Sequence, residues 1–283
     1  MPDTPNPESR RGMSLHIGVN LLDPNHYKGW DGKLSSCEND ADTYHRIALA
    51  RGFEARQLKT EQATRDNVIS AIREAASTLR GGDIFWVSYA GHGGRLTDSN
   101  GDEADGKDDT WCLHDAQLLD DEMAVLWADF RPGVRILVVS DSCHSGTLLK
   151  DENDPLDPDR EDDEFTISRR MPREARLQVA EAFKRFYRDI QRNLPRETPR
   201  IRASVRLLAG CEESQESFGS KVAGRFTSAV VDVFNDGQFE GSYADLHREV
   251  RARVEARGKP QSPAHAVRGK PDRDFDTQVP FTV

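Results

Sequence analysis

The chain predicts an α/β fold: a mostly parallel sheet with helices packed on both faces. Two observations carry this expectation. Apolar runs of strand length, Asp83–Tyr89 and Val134–Ser140, alternate with helix-length amphipathic stretches, the pattern of a parallel sheet covered on both sides. Each run also ends in a reactive residue set among small ones: His92 in Gly91-His92-Gly93, and Cys143 after Asp141-Ser142. Folds of this class place their chemistry at the carboxyl ends of the strands.

Taken in order, residues 1–12 are rich in Pro and Arg and read as a disordered tail. They lack the apolar core of a secretory signal. Ser14–Asn20 reads as the first strand, in mid-sheet. Cys37–Ala50 reads as a helix stopped by Gly52, and Phe53–Leu58 as the second strand. Thr64 is a helix start, and that helix runs to about Arg80 before Gly81-Gly82. The third and fourth strands follow, so residues 13–150 make up a catalytic part holding both His92 and Cys143.

Residues 151–203 read as an insert. Residues 151–164 are acidic, a run expected to be solvated and flexible. Arg169, Arg170, Arg173 and Arg176 then reverse the sign. From Pro172 to Leu194, Val179, Phe183, Phe186, Tyr187, Ile190 and Leu194 fall on one helical face, with Lys184, Arg185, Arg188 and Arg192 opposite; Pro195 ends the run. Such a helix either docks on the core or binds a membrane surface or a partner. Residues 204–283 contribute a fifth strand, Val205–Gly210, and helices at Phe226–Phe234 and Tyr243–Ala256, and complete the same domain.

Composition narrows the function classes. With 283 residues there is enough chain for a sizeable core. No apolar run reaches the roughly 18 residues of a membrane span. A net charge of −10 argues against general nucleic-acid binding. The four cysteines, Cys37, Cys112, Cys143 and Cys211, form no Cys-x-x-Cys pair, so neither a zinc site nor a disulfide framework is indicated. Free thiols fit a reducing cytoplasm.

A thiolate is a strong nucleophile and a nearby imidazole can activate it. Cys143 is therefore the candidate nucleophile and His92 the general acid/base that would protonate a leaving amine. Gly91-His92-Gly93 followed by Asp141-Ser142-Cys143-His144-Ser145-Gly146 resembles the caspase-like cysteine peptidases, nearer their metacaspase and orthocaspase branch than the animal enzymes. His92 precedes Cys143 by 51 positions, close to the interval of about 50 in caspases. With further matches near Cys37, Asp108 and Gln261, the resemblance spans about residues 14–282 apart from the insert.

The resemblance implies a caspase-like three-layer sandwich on a six-stranded sheet, the last strand near Phe275–Phe281. It implies that the Gly93 N–H, with that of Cys143, forms the oxyanion hole, and that Cys37, Asp40 and Asp141 belong to the pocket for the residue before the scissile bond. Asp141, two positions before Cys143, faces the same side as the thiol on an extended strand end. Paired carboxylates select Arg or Lys and repel Asp. The stretch from Asp98 to Asp109 is acidic, but Asp109 stands where an EF-hand needs Glu. By resemblance, Asp108, Asp120 and Asp121, with Asp151, would bind Ca²⁺ as an activator; the chemistry itself needs no cofactor. Cys211 falls in a segment that forms a cleft wall in the family, and Cys112 reads as packing.

The expected activity is thus a cysteine endopeptidase that cleaves protein substrates after Arg or Lys. It would be matured within residues 160–176, at one of Arg169, Arg170, Arg173 or Arg176, by itself or by an upstream protease. Two alternatives stand beside it: a silent adaptor of the same fold that binds partners through the basic helix, and a cysteine hydrolase of another clan acting on non-peptide amides.

Overall fold

A computed structural model describes residues 10–97, 106–143, 164–195, 197, 199–212, 215–257 and 260–283. In chain order the elements are β1 (Gly12–Gly18), α1 (Cys37–Ala50), β2 (Glu54–Lys59), α2 (Arg65–Thr78), β3 (Ile84–Ala90), β4 (Gly93–Thr97), β5 (Lys107–Cys112) and β6 (Gln117–Leu119). There follow α3 (Asp120–Ala128), β7 (Arg135–Asp141), β8 (Ile167–Ser168), α4 (Arg173–Ala182), α5 (Lys184–Asn193) and β9 (Ser204–Ala209). The chain closes with β10 (Phe218–Gly219), α6 (Arg225–Phe234), α7 (Tyr243–Glu255), β11 (Ala264–Gly269) and α8 (Arg273–Thr277).

The main sheet has six strands in the order β11-β9-β7-β3-β1-β2, all parallel except β11, which runs antiparallel to β9. Strand side chains alternate between two cores, as the period of two requires. Phe85, Val87, Ile136 and Val138 face the layer that includes α2, α3, α4 and α5. Trp86, Leu137, Val139 and Leu208 face α1, α6 and α7. Every residue of β3 and β7 is buried, which explains why both strands read as mainly apolar runs without strict alternation.

Three expectations are corrected. The sixth strand is Ala264–Gly269, not a segment near Phe275–Phe281. Its half-exposed residues suit an edge, whereas Phe275 and Phe281 are fully buried and plug the core beside Tyr243 and Trp86. The insert helix is two helices, broken at Phe183 (φ −110°, ψ 20°). On it Tyr187 and Val179 are buried, but Phe186 is exposed; it lies beneath the Arg65 guanidinium instead. The sequence reading also left out the small antiparallel sheet β4-β5-β6, whose polar strands carry little apolar alternation.

Among the described residues no helix is long and apolar enough to cross a membrane.

Candidate active site

The parallel pairing of β3 with β7 sets Ala90 opposite Asp141. His92 and Cys143 therefore leave neighbouring strands two residues beyond a matched pair, at one edge of the sheet. Both are buried. A β-carbon on Gly93 would stand 1.6 Å from the Cys143 carbonyl oxygen, so only glycine lets these two backbones meet.

His92 Nε2 bonds the Gly32 carbonyl at 3.1 Å. A carbonyl only accepts, so Nε2 carries the proton and Nδ1 keeps the lone pair. Trp30 packs against the ring at 4.8 Å between centroids. Burial lowers His92 to about 4, and the backbones of Gly32, Arg169 and Arg170 oppose part of that shift. The Cys143 thiol is pushed well above its ordinary value, first by burial and then by the adjoining Cys211 thiol. In this closed arrangement the pair is a neutral thiol and a neutral imidazole. Cys143 Sγ accepts the Ser217 N–H at 3.0 Å. Cys211 donates to the Ser142 carbonyl, next to Cys143 in the chain.

The structure brings Asp40 and Asp141 together, and between them lies Arg169. Its guanidinium is fully buried. Nη2 meets Asp40 Oδ2 at 2.5 Å and Ser36 Oγ at 3.0 Å. Nη1 meets Asp141 Oδ2 at 3.2 Å and the Asp141 carbonyl at 2.8 Å. Both carboxylates also draw on the N-terminus of α6. Gly224 N–H donates to Asp40, while Thr227 N–H and Oγ1 donate to Asp141 Oδ2. Free N–H groups and the dipole at a helix start favour negative charge there. Gly224 has to be glycine, because a β-carbon would fall 2.0 Å from Asp141 Oδ2. Burial raises Asp40 to about 6, against the pull of Arg169. Cys37 forms part of the wall in a small apolar cluster with Leu34, Ala90 and Ile167, and burial pushes its thiol up to about 12.

The backbone around Arg169 is held like an added strand. On one side β8 pairs antiparallel with β10, and the Arg169 N–H donates to the Ser217 carbonyl at 2.9 Å. On the other, the Gly93 N–H donates to the Arg169 carbonyl at 2.9 Å and the Met171 N–H to the Gly93 carbonyl at 2.9 Å. An arginine side chain thus fills the two-carboxylate pocket while its own carbonyl rests on the N–H that follows His92.

Arg169 is therefore not in an open linker. Arg170 is half-buried and pairs with Glu216, and Arg173 and Arg176 lie within α4. The acidic residues expected to bind calcium are spread over two elements. Asp108 is buried on β5 and accepts from Gln191 Nε2 of α5 at 2.5 Å. Asp120 and Asp121 open α3, where the Asp121 N–H donates to the Asp120 carboxylate. Among the described residues no group of three or more His, Cys, Asp or Glu is arranged to hold a metal. His144, Asp151 and the run 151–163 lie outside the described residues. Cys112 is buried in the core.

Sequence reasoning missed Gly32, Ser217, Gly224 and Thr227, most of which act through backbone groups. The Gln261 amide donates to the Gly210 carbonyl and Ser217 Oγ and accepts the Phe218 N–H, fixing the segment whose Ser217 N–H meets Cys143 Sγ.

The sequence matches the caspase domain family, Peptidase C14, over residues 19–271. It is 32% identical over 148 residues to Metacaspase-1B of Aspergillus terreus, covering 49% of this chain and 39% of that protein. Metacaspase-1 of Sclerotinia sclerotiorum matches at 32% over 154 residues, covering 34% of its length. The match thus spans well under half of these curated relatives. Among solved structures, protein GSU0716 from Geobacter sulfurreducens is 39% identical, with a TM-score of 0.85 and coverage of 96% of this chain and 99% of that one. Caspase-1 from Spodoptera frugiperda superposes with a TM-score of 0.52 over 92% of this chain and 86% of that one. At 12% identity, that likeness concerns the fold alone.

Proposed function

The chain belongs to the caspase-domain family, and from that premise we propose that it is a cysteine endopeptidase cleaving after arginine, with Lys a lesser substrate, whose first substrate is its own Arg169–Arg170 bond. One observation carries the reading: the Arg169 guanidinium lies between Asp40 and Asp141 while its carbonyl accepts the Gly93 N–H. Side chain and backbone are both engaged as a bound substrate's would be.

In the proposed reaction His92 Nδ1 takes the thiol proton as Cys143 Sγ attacks the Arg169 carbonyl carbon. The negative charge gathers on the oxygen already held by Gly93, with the Cys143 N–H as second donor by family resemblance. As the C–N bond breaks, His92 returns the proton to the Arg170 nitrogen. Water, deprotonated by the same ring, then releases the Arg169 carboxylate from the thioester. Cutting this bond lets Arg169 leave the pocket and opens it to other chains. The reaction is written without calcium, and none of its steps is routed through it. Activation by Ca²⁺ is a separate proposal, checked by comparing rates in chelator and in millimolar Ca²⁺.

The test is mass spectrometry of wild type and of Cys143→Ala, each incubated alone. Wild type should be cut between Arg169 and Arg170, and the variant should stay whole. A variant cut only when a second protease is added would point to maturation in trans. Wild-type protein that stays intact and turns over no arginyl peptide would leave the adaptor reading in its place.

A further inference from the structure

We propose that Glu216 is a specificity-determining residue for the far side of the scissile bond, selecting a basic residue immediately after the cleaved arginine. The inference rests on reading Arg169–Arg170 as a bound substrate. The two pocket carboxylates are fully engaged by Arg169 and the start of α6, so they have nothing left for a second cation. Glu216 meets that second cation. Its Oε1 lies 3.1 Å from Arg170 Nη1, and its Oε2 accepts from Ser168 Oγ at 2.6 Å. Ser168 Oγ in turn accepts the Arg170 N–H at 3.2 Å. One carboxylate thus spans the bond to be cut, touching the residue before Arg169 and the residue after it.

Its position is tied to the catalytic frame. Glu216 directly precedes Ser217, whose N–H binds Cys143 Sγ and whose carbonyl receives the Arg169 N–H. Any substrate that docks its arginine in the same way therefore brings its next side chain past the same carboxylate. The Glu216 and Arg170 side chains are 30% and 35% exposed, so solvent screens the pair and the selectivity should be moderate and salt-dependent.

The experiment uses nicked, active protein and quenched-fluorescence peptides that differ only after the arginine, carrying Arg, Ala or Glu there. Wild type should prefer Arg over Glu by about ten-fold in kcat/KM, from attraction and repulsion together. In Glu216→Gln the ratio should fall to within about two-fold, and in Glu216→Arg it should invert, while the requirement for arginine before the bond persists in all three proteins. Equal turnover of the three peptides by wild type, or an Arg preference that survives Glu216→Gln, overturns the assignment. Failure of every protein to cleave after arginine would bring down the reading beneath it as well. That result is distinguishable, because it removes cleavage itself and not the ratio.

Discussion

His92 and Asp40 titrate in opposite senses, and together they give the fold a readable pH dependence. The ring has an ordinary value of 6.5 and is lowered to about 4 by burial; His16, bonded between Ser14 and Ser88, is lowered well below 6.5 by the same cause. Between pH 6.5 and 4 the unfolded chain protonates these rings and the folded chain does not. The unfolded state therefore binds more protons, and stability is lost as pH falls through that window. His92 alone accounts for up to about 3 kcal/mol by pH 4. Asp40 acts the other way: raised by burial from 3.8 to about 6, it binds its proton earlier in the folded state and offsets part of the loss below pH 6. Thermal unfolding of uncleaved Cys143→Ala protein should show a lower Tm at pH 5 than at pH 7, with a shallower slope when His92→Asn is added. A Tm that rises on acidification would contradict the assignment of neutral buried rings.

At the scale of elements, the insert helices act as a clasp. The chain breaks at Phe183, which stacks on His26 at 4.0 Å between centroids. His26 Nε2 lies 2.6 Å from the Tyr187 hydroxyl, and that oxygen also accepts the Gln117 N–H at 3.0 Å. α5 is thereby fastened both to β6 and to the loop that runs on to Trp30 and Gly32, which both touch the His92 ring. Lys184, Arg185 and Arg192 stay exposed, while Tyr187 is buried and Phe183 and Ile190 pack against the core. Tyr187→Phe keeps the ring and removes the hydroxyl, leaving the buried Gln117 N–H without a partner. The expected cost is about 1–3 kcal/mol, measured by urea denaturation of Cys143→Ala protein. No change in the midpoint would mean that the hydroxyl bonds do not hold the clasp.

Over the whole molecule, a cut at Arg169–Arg170 severs the chain but not the sheet. β7 lies on one piece and β9 on the other, and they pair in parallel from Arg135 to Ser140; the α1 side of the core mixes Tyr44 and Trp86 with Phe226, Val250 and Phe281. Neither piece would keep a closed core alone. The nicked protein should elute as one species at the size of the intact chain in gel filtration, and separate into two only in denaturant. Two peaks under native conditions would rule out a shared sheet as the link.

Local pattern determined a good deal. Mainly apolar runs announced β3 and β7, because strands buried on both faces lack the regular apolar–polar alternation of a half-exposed strand. Thr64 marked the start of α2, where its side chain accepts the Asn67 N–H. The motifs picked out His92, Cys143, Asp40 and Asp141 as chemistry-bearing positions. What tertiary structure decided was which groups meet them. Ser217, Gly224 and Gly32 contribute N–H and carbonyl groups that every residue possesses, so their sequence carries no mark of the role. The edge strand at Ala264–Gly269 is half-exposed and lacks the apolar signal that Phe275 and Phe281 possess as core plugs. Arg169 stands in a run of arginines that reads as a solvated charge cluster. Only the folded chain tells it from Arg173, because the two carboxylates and the helix start that surround its guanidinium converge from α1, β7 and α6, segments far apart in sequence.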